Sequence, residues 1–437
     1  MLGFKKRRRQ LMHYILRITI CACLLLVVQS SLLFAARPYV ILVSFDGFRY
    51  DYPEAVDTPN LDRLAREGVR AKSLKPIFPS KTFPNHYAIA TGMYAENHGI
   101  VSNIFWDPVW DEVYKLSDRT TVTDPKWYGG EPIWVTAEKQ GVKTASYYWV
   151  GSEAPISGVS PAFFYYYDQS VPFDQRVNQV ISWLQLPEDM RPHLITLYFH
   201  EPDWTGHEYG PAAPETGKAI QRADSTLGLL LAGIDTLSIA DSINLIICSD
   251  HGMTQLSSVR MVYLADYLDL NNIDIIGGGE FSFVNLKQRS QRGILAALFR
   301  RHAIRKVART LKAAHPNMTA YLGDEIPERW HYRHNRRIPE ILVVADDGWS
   351  LITKPHATKE AERTHEETFW QRGSHGYDNA VEAMHAIFYA KGPAFKKGIS
   401  IPTLSNIHIY PLIAEILILD PNPGIDGVID SVRTMLK

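Results

Sequence analysis

Six side chains of this sequence are of the types that bind hard or borderline metal ions: Asp46, Asp203, His207, Asp250, His251 and His375. Each has a plainer reading when taken alone. Asp46 before Gly47 suits an ordinary strand-to-turn position, and Asp203 and His207 in EPDWTGH can face one ion from a turn or first helical turn, although that spacing is weak evidence by itself. Asp250 and His251 are adjacent after INLIICS, so both can grip a metal only where the backbone bends, which Gly252 permits. His375 lies in RGSHGYDN between Gly373 and Gly376, either as a loop histidine or as a late ligand on flexible backbone. Together the three carboxylates and three imidazoles form an oxygen and nitrogen set suited to zinc, with manganese and iron open. Six ligands suffice for two ions, and two ions about 4 Å apart can clamp a phosphoryl group and activate a nucleophile.

Thr82, in FPSKTFPNHYAIAT, is the candidate for that nucleophile. Its plainer reading is a helix cap. A hydroxyl attacks poorly at neutral pH unless its proton is drawn off, and coordination to a divalent cation is one way to do that. At a helix start, backbone N–H groups and the helix dipole add attraction for an anion. Pro79 and Pro84 restrict the flanking backbone, and Lys81 either adds positive field or is solvated.

The elements that must position these groups follow from hydrophobic patterning. PYVILVSFDGF reads as a buried strand ending at Asp46, and TPNLDRLAREG as a helix with Thr58 as cap, Pro59 in its first turn and Gly68 as stop. Strand followed by helix recurs at HLITLYFHEPD before a helix around Thr216 to Gly233, and INLIICSDHG is a third strand. The fold class is therefore α/β. Three strand-like runs end near acids, and in open parallel sheets ligands bind outside the carboxyl ends of the strands, so the three acids can share one edge.

Between about Asp266 and Trp370 the alternation weakens. There, Arg289 to Lys312 carries eight basic residues and no acidic one, with Ile294, Leu298, Val307 and Leu311 at roughly helical spacing; it reads as a helix with either a solvated basic face or an anion-binding surface. IHIYPLIAEILIL reads as a further amphipathic helix, stopped by Pro421 and Pro423. No internal repeat or low-complexity linker is found.

The chain has 437 residues, 46% hydrophobic and 21% charged, with a formal net charge of -1, so any charge-driven recognition is local and nucleic acid is not an expected partner. KKRRR at Lys5 to Arg9 precedes the apolar run Ile18 to Ala36. That pattern predicts a signal peptide cleaved near Ala35 or Ala36, or else a retained anchor, and either one places the body of the protein outside the cytoplasm. Beyond Cys21 and Cys23 only Cys248 remains, so the mature body is expected to have no intrachain disulfide, which suits a bacterial periplasm better than a vertebrate ectodomain; the expected location is periplasmic or secreted. Residues 1–36 are expected to be the leader and residues 37–437 a single domain.

SFDGFR, FPSKTFPNHYAIATGMYAENHGI, LYFHEPDWTGHEYGP, SDHGM and GSHGYDN, in that order, resemble the ectonucleotide pyrophosphatase/phosphodiesterase family of the alkaline phosphatase superfamily. The similarity runs from about Pro38 to Gly427, without the cysteine-rich and nuclease-like modules of several animal members, like a bacterial catalytic-domain-only form. The resemblance implies an alkaline phosphatase-like fold: a mostly parallel central sheet sandwiched between helices, with two zinc ions at the carboxyl edge of the strands. It implies that Asp203, His207 and His375 hold one zinc, and that Asp46, Asp250 and His251 hold the other with the Thr82 oxygen bound to it as nucleophile. Asn103 matches the family's asparagine at the phosphoryl oxygen. The implied reaction forms a phosphothreonine that water then hydrolyses.

For nucleotide substrates the motifs point to Phe83 and Tyr167 around the base, with Tyr165 and Tyr166 blurring the choice, and to Trp149 and Glu153 near the nucleoside. Glu153 stands where the family has aspartate. Lys81 is a further candidate contact. The implied activity is hydrolysis of nucleotide phosphodiester or pyrophosphate bonds to nucleoside 5'-monophosphates. Alternatives are a lysophospholipid or headgroup phosphodiesterase, or a phosphomonoesterase, of the same superfamily. Threonine at the nucleophile position disfavours a sulfatase, and retention of Thr82 with all six ligands disfavours a non-catalytic binding protein. No protein partner is implied.

Overall fold

Every residue of YVILVSF is buried in the strand Tyr39–Phe45, and the same holds for Leu194–Phe199 and Ile243–Cys248. A strand covered on both faces is mostly apolar, which is why these runs show no alternation; Ser44, Thr196 and Asn244 are the buried polar residues within them. The three pair in parallel, with Tyr39–Phe45 in the middle. Thr144–Tyr147 and Phe163–Tyr165 extend the sheet on one side, and Phe388–Lys391, Val69–Ala71 and Ile399–Ile401 extend it on the other. Of these eight strands, Phe388–Lys391 alone runs against its neighbours. The computed structural model describes residues 37–287, 294–353 and 372–437; the leader to Ala36, Arg289, Arg292 and Trp370 lie outside the described residues.

Period-two geometry sends Val40 and Leu42 to one face and Ile41, Val43 and Phe45 to the other. The first face packs against helices Thr82–Thr91, Ile133–Lys139 and Ile409–Leu417, and the second against Pro59–Glu67, Phe173–Leu184 and Pro214–Asp235. The result is a three-layer sandwich whose sheet has one free edge at the carboxyl ends of its strands. Each fully buried leucine or isoleucine contributes about 1.5–3 kcal/mol to holding these layers together. Thr58 caps Pro59–Glu67 by position, but its hydroxyl makes no capping hydrogen bond. Ile409–Leu417 is not amphipathic as expected. It is buried apart from Glu415, and it ends at Ile418 in the left-handed region (φ 55°), ahead of the two prolines.

The stretch of weak alternation holds a second, antiparallel sheet, in the order Ile273–Gly278, Phe281–Leu286, Ile341–Ala345, Met318–Leu322. Helix Ile294–Lys312 covers it through Ala308 and Leu311, whereas Leu298 is 57% exposed rather than inward. On the basic face Arg300 pairs with Glu340 at 2.8 Å and Lys312 with Glu325 at 2.6 Å, and Arg301, Arg305 and Arg309 face solvent. Tyr39–Lys437 form one compact unit. Among the described residues no helix is long and apolar enough to cross a membrane.

Candidate active site

The three central strands deliver Asp46, Asp203 and Asp250 to one edge, and a glycine lets them meet. Gly47 has φ 65°, its N–H donates to Asp250 Oδ1 at 3.2 Å, and the Asp203 N–H donates to the Asp46 carbonyl at 3.0 Å. A Cβ on Gly47 would lie 2.7 Å from that of Asp203, so no other residue fits there. Gly252 matters for closeness rather than for the bend the sequence suggested. Its added Cβ would sit 2.2 Å from the Ala383 carbonyl oxygen.

Two ligand groups result, Asp46 with Asp250 and His251, and Asp203 with His207 and His375; within each group the ligating atoms lie within 4.8 Å of one another. His251 Nε2 is 2.9 Å from Asp250 Oδ2 and 3.4 Å from Asp46 Oδ1. His207 Nε2 is 3.4 Å from Asp203 Oδ2, and His375 Nε2 is 3.6 Å from Asp203 Oδ1. The other ring nitrogen of each histidine meets a backbone carbonyl: His251 Nδ1 that of Gly252 at 2.9 Å, His207 Nδ1 that of Gly373 at 2.8 Å, and His375 Nδ1 that of Ser80 at 2.8 Å. A carbonyl only accepts, so each Nδ1 carries the proton and each Nε2 presents a lone pair, the usual second shell of a ligating histidine.

The carboxylates agree. Asp46 Oδ1, Asp203 Oδ1 and Asp250 Oδ2 are buried with no hydrogen-bond donor. An unpaired buried carboxylate oxygen is costly, and one such oxygen on each of three aspartates is what cation coordination would satisfy. The remaining oxygen of Asp46 accepts from the Tyr198 hydroxyl at 2.6 Å. Burial and the neighbouring Asp250 and Asp203 push the Asp46 carboxyl up, as close carboxylates without a cation must. Burial, then His251 and Lys81, pushes His375 down and keeps it a neutral ligand. The residues therefore fit two divalent cations.

Thr82 is the first residue of helix Thr82–Thr91, and Lys81, not Thr82, occupies the cap. The threonine hydroxyl is thus free of capping, and its Oγ1 lies 3.3 Å from His251 Nε2. Asn103 Oδ1 accepts the Phe83 N–H at 3.0 Å, which fixes the amide so that its NH2 group is left to donate. Lys81 departs from expectation: its ammonium is 2.6 Å from Glu280 in the first turn of the second sheet, and Glu280 also accepts from Ser374, so its positive field is largely neutralised.

A cavity of about 780 Å³ opens over Thr82 and Asp46. Lys81, Phe83, Asn103, Trp149, Glu153 and Tyr167 all line it, as do Asp203, His207 and His375. Tyr167 is the tyrosine of its run that reaches the cavity; Tyr165 packs on Trp183 and Tyr166 is 62% exposed beneath Arg119. Trp149 is buried, its indole N–H donating to the His86 carbonyl at 3.0 Å, and Glu153 pairs with Arg119 and accepts the Tyr167 N–H. Sequence reading missed His86, Tyr198 and His200. His86 Nδ1 lies 3.0 Å from the Thr82 carbonyl and 3.3 Å from Asp250 Oδ2, and its place four residues after Thr82, on the same helix face, was the available signal. Tyr198 and His200 sit at the end of the strand that leads to Asp203.

The family model described as type I phosphodiesterase / nucleotide pyrophosphatase matches residues 40–378. The chain belongs to this family. Among its relatives is venom phosphodiesterase CdcPDE of Crotalus durissus collilineatus, 39% identical over 91% of this chain and 46% of that protein. Ectonucleotide pyrophosphatase/phosphodiesterase family member 1 of Homo sapiens is 38% identical over 92% of this chain and 42% of that one. This phosphodiesterase-family chain thus spans less than half the length of those relatives. Bis(5'-adenosyl)-triphosphatase enpp4 of Xenopus laevis is 36% identical over 92% of this chain and 82% of that protein. The solved murine family member 5 superposes with a TM-score of 0.82 at 35% identity, over 91% of this chain and all of that one, giving the family's alkaline phosphatase-like fold. An inactive threonine-to-alanine variant of that murine protein has been solved in complex with AMP.

Proposed function

We propose that the chain is an exported dizinc phosphodiesterase and nucleotide pyrophosphatase, with residues 37–437 as its catalytic domain, that releases nucleoside 5'-monophosphates from nucleotide diesters and pyrophosphates. The observation that carries this is the Thr82 hydroxyl, uncapped and 3.3 Å from His251 Nε2, beside buried carboxylate oxygens that accept no hydrogen bond. The nitrogen and oxygen donor set favours zinc. Asp203, His207 and His375 would hold one ion, and Asp46, Asp250, His251 and Thr82 the other. When bound, the ions supply charge stabilisation to the phosphoryl oxygens and ease loss of the hydroxyl proton.

Thr82 Oγ attacks phosphorus in line; the bond to the leaving oxygen breaks, and that oxygen departs with the electron pair. The nucleotide is left esterified to Thr82 as a phosphothreonine. Water then attacks the same phosphorus, the Thr82 ester bond breaks, and the threonine recovers its proton. Asn103 donates from its NH2 group to a non-bridging oxygen in both steps. Phe83 and Tyr167 sandwich the retained base, with Trp149 and the Glu153–Arg119 pair walling its end of the cavity. The AMP complex of murine member 5 and the name of the frog relative support nucleotide substrates, and KKRRR ahead of an apolar run supports export. Purified protein is expected to hydrolyse p-nitrophenyl thymidine 5'-monophosphate faster than p-nitrophenyl phosphate and to stop on chelation. Equal or faster monoester turnover, or faster release of choline phosphate from lysophosphatidylcholine, would replace this reading with one of the alternatives.

A further inference from the structure

Trp204 directly follows Asp203 in helix Asp203–Tyr209 and is 54% exposed, the one tryptophan among the described residues that is mostly open to solvent. Exposure alone would be unremarked, since single apolar residues on a surface are common. This indole, however, lines the catalytic cavity. Among the described residues it makes no ring contact, and its N–H makes no hydrogen bond. Its placement is fixed by the helix that carries it. Asp203, His207 and Trp204 fall within about 100° of helical arc, Gly206 beside them abuts Met253 so closely that a Cβ would lie 2.6 Å from its sulfur, and His207 is held by the Gly373 carbonyl at 2.8 Å.

In-line displacement puts the nucleophile and the leaving oxygen on opposite sides of phosphorus. Thr82 Oγ1 stands with the Asp46, Asp250 and His251 group, so the leaving oxygen faces the Asp203, His207 and His375 group, where Trp204 is the next side chain along. The two cations that line the cavity are already matched, Lys81 by Glu280 and Arg119 by Glu153. A purely anionic leaving group therefore finds no free cationic side chain among the lining residues, whereas a planar one finds an unpartnered indole.

We propose that Trp204 is a leaving-group platform that stacks a base-like ring, so that the site favours substrates with a planar heterocycle on both sides of the scissile bond, such as dinucleoside polyphosphates. The assignment rests on the phosphodiesterase reading above. Binding to the zinc-loaded, full-length Thr82→Ala protein, measured by calorimetry with AMP and with diadenosine tetraphosphate, tests it without turnover. Adding Trp204→Ala should weaken the dinucleotide about tenfold and AMP less than about threefold, and Trp204→Phe should restore most of the loss. Zinc content and Tm measured on both variants show whether the site is intact, and the phenylalanine variant carries the comparison should the alanine variant fold poorly. Equal weakening of both ligands, or of neither, overturns the assignment. Failure of the Thr82→Ala protein to bind either ligand overturns the nucleotide reading, and the Trp204 assignment with it.

Discussion

Thr82 Oγ1 and His251 Nε2 are 3.3 Å apart, and three buried carboxylate oxygens of the two ligand groups accept no hydrogen bond. Lys81, not Thr82, holds the cap position, and on the proposed reading this hydroxyl is the nucleophile. Thr82→Ala should lower kcat by more than about a thousandfold while metal content, read by mass spectrometry, stays at the wild-type level. On the proposed reading Asn103 acts on the transition state, so Asn103→Ala should cost about a hundredfold or more in kcat with a smaller change in KM. Tyr198 anchors Asp46 Oδ2 through a 2.6 Å hydrogen bond from its hydroxyl. Tyr198→Phe should therefore weaken metal retention by about 10–100-fold in a chelator competition, with activity restored by excess zinc.

At the scale of elements, the site depends on loops that run closer together than any side chain would permit. Gly252→Ala forces a Cβ to within 2.2 Å of a backbone oxygen, and urea denaturation should register a loss of about 1–3 kcal/mol. The strands that deliver the candidate ligands were legible because a doubly buried strand is mostly apolar, and each of the three apolar runs is followed within four residues by one of the aspartates. The six candidate ligands and Thr82 were legible through residue type and motif order, and the fold brings the six into two clusters. The fate of Lys81 was not: its partner Glu280 lies in the turn between strands Ile273–Gly278 and Phe281–Leu286, and no local pattern links residues so far apart in sequence. Helix Ile409–Leu417 differs from the amphipathic expectation because its neighbours in the core cover every residue but Glu415, and that packing partner set is not visible in the local sequence.

At the scale of the whole molecule, the second sheet must stay docked for Glu280 to reach the site. Asp107, fully buried at the end of strand Ile104–Asp107, accepts from Arg336 at 2.8 Å and from Arg337 at 2.8 Å, and Arg337 also donates to the carbonyls of Gly99 and Trp127 at 2.7 Å. Burial alone would push the Asp107 carboxyl up, but the two guanidiniums hold it down to about 2, below its ordinary 3.8. Between those values the unfolded chain binds the proton more readily than the folded one. The stabilisation is therefore fully present above about pH 4 and is lost as pH falls toward 2. That difference is worth about 2 kcal/mol, and Asp107→Asn should remove it. Denaturation midpoints from pH 5 to pH 2 should fall less steeply in the variant than in the parent protein.

The central claim is a covalent one, and trapping reads it most directly. Protein mixed with p-nitrophenyl thymidine 5'-monophosphate, quenched in acid within the first turnover and digested, should carry one thymidylyl group on the peptide containing Thr82. The group should be absent from the Thr82→Ala protein. A burst of nitrophenol with the adduct on another residue, or with none at all, would contradict the account.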